Sequence, residues 1–240
     1  DGEKLDLGRV QFSHFRRELD MRGGTLTRSF VWQTASGKEL RLTFLRFVDM
    51  IHRERAYQRV TLEPLNFSGE VAFTSGLSFQ VLHEGYQKRY WQSARGWAGE
   101  NRLMLQARTT RSGQEVFAGA VLDLPEKAAV QKEEKAVALQ ASIPLEQGKE
   151  TRVDKRAVLL FDGREGDALW QKGLKALDLC AAVPLEDAMQ AQRAVTDVTN
   201  DLLRKNAEKL HMATVESARE SERGIIDIET LKHTNSLLID

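Results

Sequence analysis

The chain has 240 residues, 41% of them hydrophobic, and 35 Lys+Arg balance 35 Asp+Glu to a formal net charge of +0. That length supports one large domain or two small ones with a substantial core, and neutrality removes any bulk attraction to nucleic acid or to an anionic membrane surface. The single cysteine, Cys180, excludes an internal disulfide framework and a cysteine metal cage and fits a reducing compartment, most simply as a small apolar residue on a helix.

The amino end, DGEKLDLGRV, has no apolar core of a signal peptide, and no run approaches the roughly 20 apolar residues that span a bilayer. A soluble, cytoplasmic chain is expected. Residues 5–19 mix Leu, Phe, Arg and His without a clean period and read as irregular, although Phe12, Phe15 and Leu19 would share a helical face. From Gly23 to Gly69 the grammar is that of strands. Leu26, Phe30 and Trp32 share one face of a run whose other face carries Thr25, Thr27, Ser29 and Gln33. The turn Ala35-Ser36-Gly37-Lys38 leads into Leu40, Leu42 and Phe44, and Arg46-Phe47-Val48 then interrupts the alternation as a bulge would. Val60 and Leu62 carry the next strand to Pro64, which cannot donate to a ladder and marks an end or an edge.

Residues 70–74, 77–82, 102–110 and 115–122 repeat short strands with glycine-containing turns, the last two joined as a hairpin by Arg111-Ser112-Gly113-Gln114. Residues 123–134, with Pro125 and mixed charges, read as a surface loop, and residues 135–144 and 151–162 close the sheet. About ten short strands without intervening helices predict a mainly β fold, an antiparallel sandwich of the super-sandwich type, followed by long α-helices. After Asp162-Gly163-Arg164-Glu165-Gly166, Ala, Leu, Glu, Lys and Gln dominate. A first helix covers 168–182, and a second begins after Pro184 with Ala188, Ala191, Val195, Val198 and Leu202 in a stripe. The expected division is a sandwich over 1–165, a linker helix over 166–184 and a helical tail over 185–240. A straight helix over 185–223 would run about 58 Å, longer than the roughly 40 Å of such a sandwich. The tail must bend near Gly224, pair with itself or a partner helix, or dock elsewhere.

Chemistry is sparse in this pattern. His14, His52, His83, His211 and His233 lie far apart with no metal-ligand spacing, and no nucleophile elbow, phosphate-cradling loop or nucleotide fingerprint occurs. No catalytic residue, metal site or cofactor is expected. Carboxylates such as Glu63, Glu84, Asp123 and Asp162 give no distinguishable pair for glycoside chemistry. One segment invites a ligand. Tyr86, Tyr90, Trp91 and Trp97 interleave with Arg89 and Arg95, and aromatic faces stack on sugar rings while arginines orient hydroxyls or phosphate. Carbohydrate contact at Tyr90, Trp91, Trp97, Arg89 and Arg95 competes there with ordinary packing. A stand-alone sugar-binding module would rest on Trp91 and Trp97. The run Glu216–Arg223 reads as a solvated helix face.

Arg17-Glu18-Leu19-Asp20, Gly24-Thr25-Leu26-Thr27-Arg28, Arg46-Phe47-Val48 and Val60-Thr61-Leu62-Glu63-Pro64, in that order and spacing, resemble the amino-terminal domain of glycoside hydrolase family 65. That family includes maltose, trehalose and kojibiose phosphorylases, and the likeness extends to about Gln190. It implies a β-sandwich preceding a helical barrel that holds the general acid and the phosphate site, with the sandwich assisting dimerisation and shaping the active-site entrance. The barrel and the family's strands before the counterpart of Leu5 have no match in this sequence, so no catalytic residue carries over. An α-glucoside or phosphate would be bound only together with that barrel. The tail differs. Ala218-Arg219-Glu220-Ser221-Glu222-Arg223-Gly224-Ile225-Ile226-Asp227-Ile228-Glu229-Thr230-Leu231 resembles the carboxy-terminal region of the toxic-anion (tellurite) resistance family, which implies a helical module and leaves the chain a composite of two families.

Overall fold

The structure, a computed structural model, describes residues 2–82, 85, 87–124, 128–161 and 166–222. Eleven strands precede two helices among these residues: β1 Gln11–Asp20, β2 Thr25–Gln33, β3 Glu39–Val48, β4 Arg55–Pro64, β5 Gly69–Ser78, β6 Trp91–Gly99, β7 Arg102–Thr109, β8 Glu115–Leu122, β9 Ala129–Glu133, β10 Ala136–Leu145, β11 Thr151–Phe161, α1 Asp167–Ala181 and α2 Leu185–Glu222. All pairings are antiparallel. An eight-stranded sheet runs β1-β2-β3-β4-β11-β8-β7-β6, and a three-stranded sheet runs β5-β10-β9. The chain divides into two compact units, Asp1–Gln192 and Arg193–Asp240. No described helix is long and apolar enough to cross a membrane.

The first unit is layered around the large sheet. Its inner face packs on the small sheet, Leu103, Leu105, Ala120 and Leu122 meeting Val137 and Leu139, and Phe30, Leu40, Leu42 and Leu62 meeting Ala141, Ile143 and Leu145. Its outer face packs on α1 and on the start of α2, where Phe47, Tyr57, Phe117 and Val158 meet Leu169, Trp170, Leu177 and Leu185. Each such apolar side chain contributes about 1.5–3 kcal/mol when fully buried. The first turn of α2 is tied down by charge as well. Arg59 donates through Nε and Nη2 to both oxygens of Asp154 at 2.6 Å and meets Glu186 at 2.6 Å.

The sandwich and the long helices follow the sequence pattern, with five local differences, one of them that β6 forms over Trp91–Gly99, where no strand was expected. Of the segment expected to be irregular, residues 5–10 are irregular, but from Gln11 to Asp20 the chain forms a strand. A bulge between Ser13 and Arg16, with His14 at φ 52, offsets the alternation, so Phe12, Phe15 and Leu19 share the inner face at a spacing that imitates a helix. Conversely, β3 pairs without a register shift through Arg46-Phe47-Val48. The alternation fails there because Phe47 is buried on the outer face, against Tyr57. Residues 69–78 are one strand where two were expected, and β9 occupies the expected loop as a fully exposed edge strand.

One close approach between layers is at Gly173. A Cβ there would stand 2.4–2.5 Å from the Phe117 ring, which is itself fully buried and edge-on to Trp170 at 5.6 Å. The Gly173→Ala substitution gains about 1 kcal/mol of helix propensity and forces overpacking that costs about 1–3 kcal/mol. The ring has nowhere to move, so a net loss of about 1 kcal/mol is expected, read as a lower urea midpoint at unchanged slope.

Candidate functional site

The aromatic segment lies on and beside β6, the edge strand of the large sheet. Register places its members on two faces. Trp91 opposes Thr109, whose neighbour two positions on, Ala107, points into the sandwich, and Trp91 packs on Phe79 with ring centroids 4.5 Å apart. A bulge between Trp91 and Ala94 then shifts the register, so that Arg95 opposes Gln106 and Trp97 opposes Met104 on the outer face. A sugar ring therefore cannot stack on both tryptophans. Arg95 sits 4.2 Å over the Trp170 ring and pairs with Asp167 at 2.7 Å, so its guanidinium engages α1. Trp97 is 40% exposed, Arg89 is exposed, and the Tyr90 carbonyl accepts from Thr110 N at 2.8 Å. Tyr86 lies outside the described residues.

Beside this segment the sheet and the helix meet at a buried carboxylate that the sequence pattern did not single out. Glu115, 7% exposed at its side chain, opens β8 and faces Arg108 across the β7–β8 ladder. Its Oε1 accepts from Arg108 Nε at 3.0 Å and Nη2 at 2.5 Å. Its Oε2 accepts from Gly166 N at 2.6 Å and from Gln106 Nε2 at 3.2 Å, and Gln106 Nε2 also donates to Gly166 O at 2.9 Å. Gly166 has φ 54, in the left-handed region that glycine enters without strain. It leads directly into α1, which has no side-chain cap. The Glu115 carboxylate substitutes for one, and the Arg108 guanidinium holds it below the usual carboxylate range. These partners are separated by up to 60 positions, so no local motif could announce them.

A cavity of about 650 Å³ opens on the inner face, away from the aromatic segment. Register aligns Leu19, Leu26, Arg46, Gln58 and Lys155 in one row across β1, β2, β3, β4 and β11. The next row carries Val48, Ala56 and Ala157. Leu77 of β5 walls one side, and Lys155 Nζ donates to the Gly76 carbonyl at 3.0 Å. On the outer face nearby, Tyr57 is buried beside the Cys180 thiol at 4.0 Å. Burial, first, pushes its hydroxyl up to about 12 and pushes the Cys180 thiol up as well.

Comparison with known proteins gives two matches. The family described as glycosyl hydrolase family 65, N-terminal domain, matches residues 1–198, and toxic anion resistance protein (TelA) matches residues 181–240. A kojibiose phosphorylase of Halothermothrix orenii is 30% identical over 113 residues, 47% of this chain and 14% of that protein. A TelA-like protein of Staphylococcus haemolyticus is 59% identical over 54 residues, 22% of this chain and 14% of that protein. The matched segments thus span about a seventh of each curated relative. A solved structure assigned as a kojibiose phosphorylase from the human microbiome superposes with a TM-score of 0.76 at 24% identity, covering 81% of this chain and 26% of that one. This last likeness concerns the fold alone.

The Glu115 junction titrates with a definite sign. A carboxyl held below its unfolded value contributes stability that is fully present above the unfolded pKa and is lost as pH falls through the folded one. Glu115→Gln is expected to lower stability by about 1–3 kcal/mol at pH 7. The gap between the two proteins should close as pH falls below about 5. Urea titrations at several pH values read both effects, and a gap that stays constant down to acid pH would show that the charge carries none of it.

Proposed function

Because the chain belongs to the glycosyl hydrolase family 65, N-terminal domain family, we propose that its sandwich is the non-catalytic portion of an α-glucoside phosphorylase or hydrolase. In this reading the sandwich, over 1–165, and its linker helix, over 166–184, act as one accessory body that supports assembly and shapes an active-site entrance supplied by another domain. The observation that carries it is the Glu115 anchor. By holding Gly166 N at 2.6 Å it fixes the bearing of α1 on the sheet, and Gly173 brings the helix against Phe117. A helix on a fixed bearing is suited to set where a neighbouring domain stands. The kojibiose phosphorylase of Halothermothrix orenii favours an α-glucoside as the substrate class. Buried, unpaired Cys180 suits a reducing, cytoplasmic setting.

A second reading concerns the tail, and a specific observation favours it. Along α2, Val198, Leu202 and Leu203 are 56–62% exposed, and Met212 is 63% exposed. An apolar stripe at steps of three and four on a helix of 38 residues, about 57 Å long, is suited to pair with a like helix. The match to toxic anion resistance protein over 181–240 supports a helical association module there.

Two measurements test these readings. The purified chain, given phosphate with kojibiose, maltose or trehalose, should release no glucose 1-phosphate above a protein-free blank, and phosphate-dependent release would overturn the accessory role. Light scattering on the whole chain should give a mass above that of the monomer, and V198E/L202E should return it to the monomer. A parent chain that is already monomeric across micromolar concentrations would remove the tail reading.

A further inference from the structure

The inner-face cavity has a physical cause and an unanswered charge. The sheet carries Ala56 and Ala157 side by side where the neighbouring inner-face row bears longer side chains, so a hollow remains under Leu77. Its lining is mainly apolar, yet two cations enter it. Arg46 and Lys155 are two strands apart in one register row, with Gln58 between them. Strands lie about 4.8 Å apart, so the two backbones stand about 10 Å from each other and both side chains can reach a single group above Gln58.

Neither cation has an ion pair among the described residues, and no carboxylate lines the cavity. Lys155 meets only the Gly76 carbonyl. Its desolvation lowers its pKa, a cost that the chain offsets with no counter-charge. At the other end of the row, Leu26 and Leu19 continue the apolar lining toward β1, and Leu19 is 63% exposed there. The arrangement is graded, cationic at β11 and β3 and apolar at β2 and β1. Sites for small molecules commonly have about 300–1,000 Å³ with a few convergent polar groups, and this cavity falls inside that range.

We propose that this cavity binds a small amphiphile with one anionic head, a medium-chain carboxylate, whose head lies between Arg46, Gln58 and Lys155 and whose chain lies along Leu26 and Leu19. The apolar lining disfavours a sugar, whose hydroxyls would lose water without finding partners. It equally disfavours inorganic phosphate, which would leave the Leu26 end empty. The inference stands apart from the accessory role and does not need it.

Calorimetric titration of the 240-residue chain with decanoate, decanol and acetate tests it. Decanoate should bind at least 10-fold more tightly than decanol, and acetate should give no measurable heat. Arg46→Gln and Lys155→Met should each weaken decanoate by about 5-fold or more and leave decanol unchanged. Arg46 is exposed, so Arg46→Gln should keep the parent's melting temperature and remain informative if Lys155→Met folds poorly. Decanol binding as tightly as decanoate would reduce the cavity to an apolar patch. No binding of decanoate, or unchanged decanoate affinity in Arg46→Gln, would overturn the site.

Discussion

Around Tyr57, Phe117 and Val158 the eight-stranded sheet is apolar on both faces, and the need to cover that part twice shapes the rest of the first unit. Antiparallel sheets commonly leave one face to water and alternate accordingly. Here β7 and β8 do not alternate. Leu103 and Leu105 point into the sandwich while Met104 and Phe117 point out of it, and all are buried. The outer face can be dry only if α1 lies close to it. Gly173 permits that approach, and Glu115 fixes the end from which the helix departs. The carboxylate does for α1 what a capping side chain does elsewhere, from a neighbouring strand instead of from the preceding residue.

Cover on the inner face is incomplete, because three strands cannot span eight. The small sheet lies over β7 and β8 through Val137 and Leu139 and over β2, β3 and β4 through Ala141, Ile143 and Leu145, and toward β1 the cover thins to the opening segment, whose Leu5, Leu7 and Val10 pack on the core. Phe12 and Phe15 remain 40% and 50% exposed at that end, Phe12 edge-on to Phe30 and Phe15 stacked on it, with Phe30 stacked in turn on Phe44 under the Arg28 guanidinium. The cavity occupies the boundary between the covered and thinly covered parts. Its position follows from the mismatch of the two sheets, and its depth from two alanines.

These features were unequally legible in the sequence. Regular alternation announced β2 and β4, whose two sides meet different environments, whereas the β7–β8 hairpin was announced by its turn, Arg111-Ser112-Gly113-Gln114. Where an extra residue entered a strand, period two became something else. The bulge in β1 made Phe12, Phe15 and Leu19 look helical, and the bulge in β6 made Trp91 and Trp97 look like neighbours when they stand on opposite faces. Phe47 misled in the opposite direction, since a side chain buried on the far face of a doubly covered sheet resembles a break in register. Glu115 and the cavity row were illegible for another reason. Their partners are brought together by pairing between distant strands, and one sequence without its register contains no trace of that.

The join between the two families falls in the part of the fold best able to accept it. Their matches overlap over 181–198, from the end of α1 through the first turns of α2. A strand interrupted there would need its neighbour's ladder to agree with both halves. A helix satisfies its backbone locally, each N–H meeting a carbonyl four residues back, so its sequence can change character within one element at no cost in hydrogen bonds. The first turns of α2 answer to the sheet, with Leu185 and Ala188 buried and Gln192 accepting from Met50 N at 2.9 Å. The first compact unit ends at that same Gln192. Val198, Leu202, Leu203 and Met212 of the apolar stripe are exposed. The overlap of the two family matches thus includes the boundary between the two compact units.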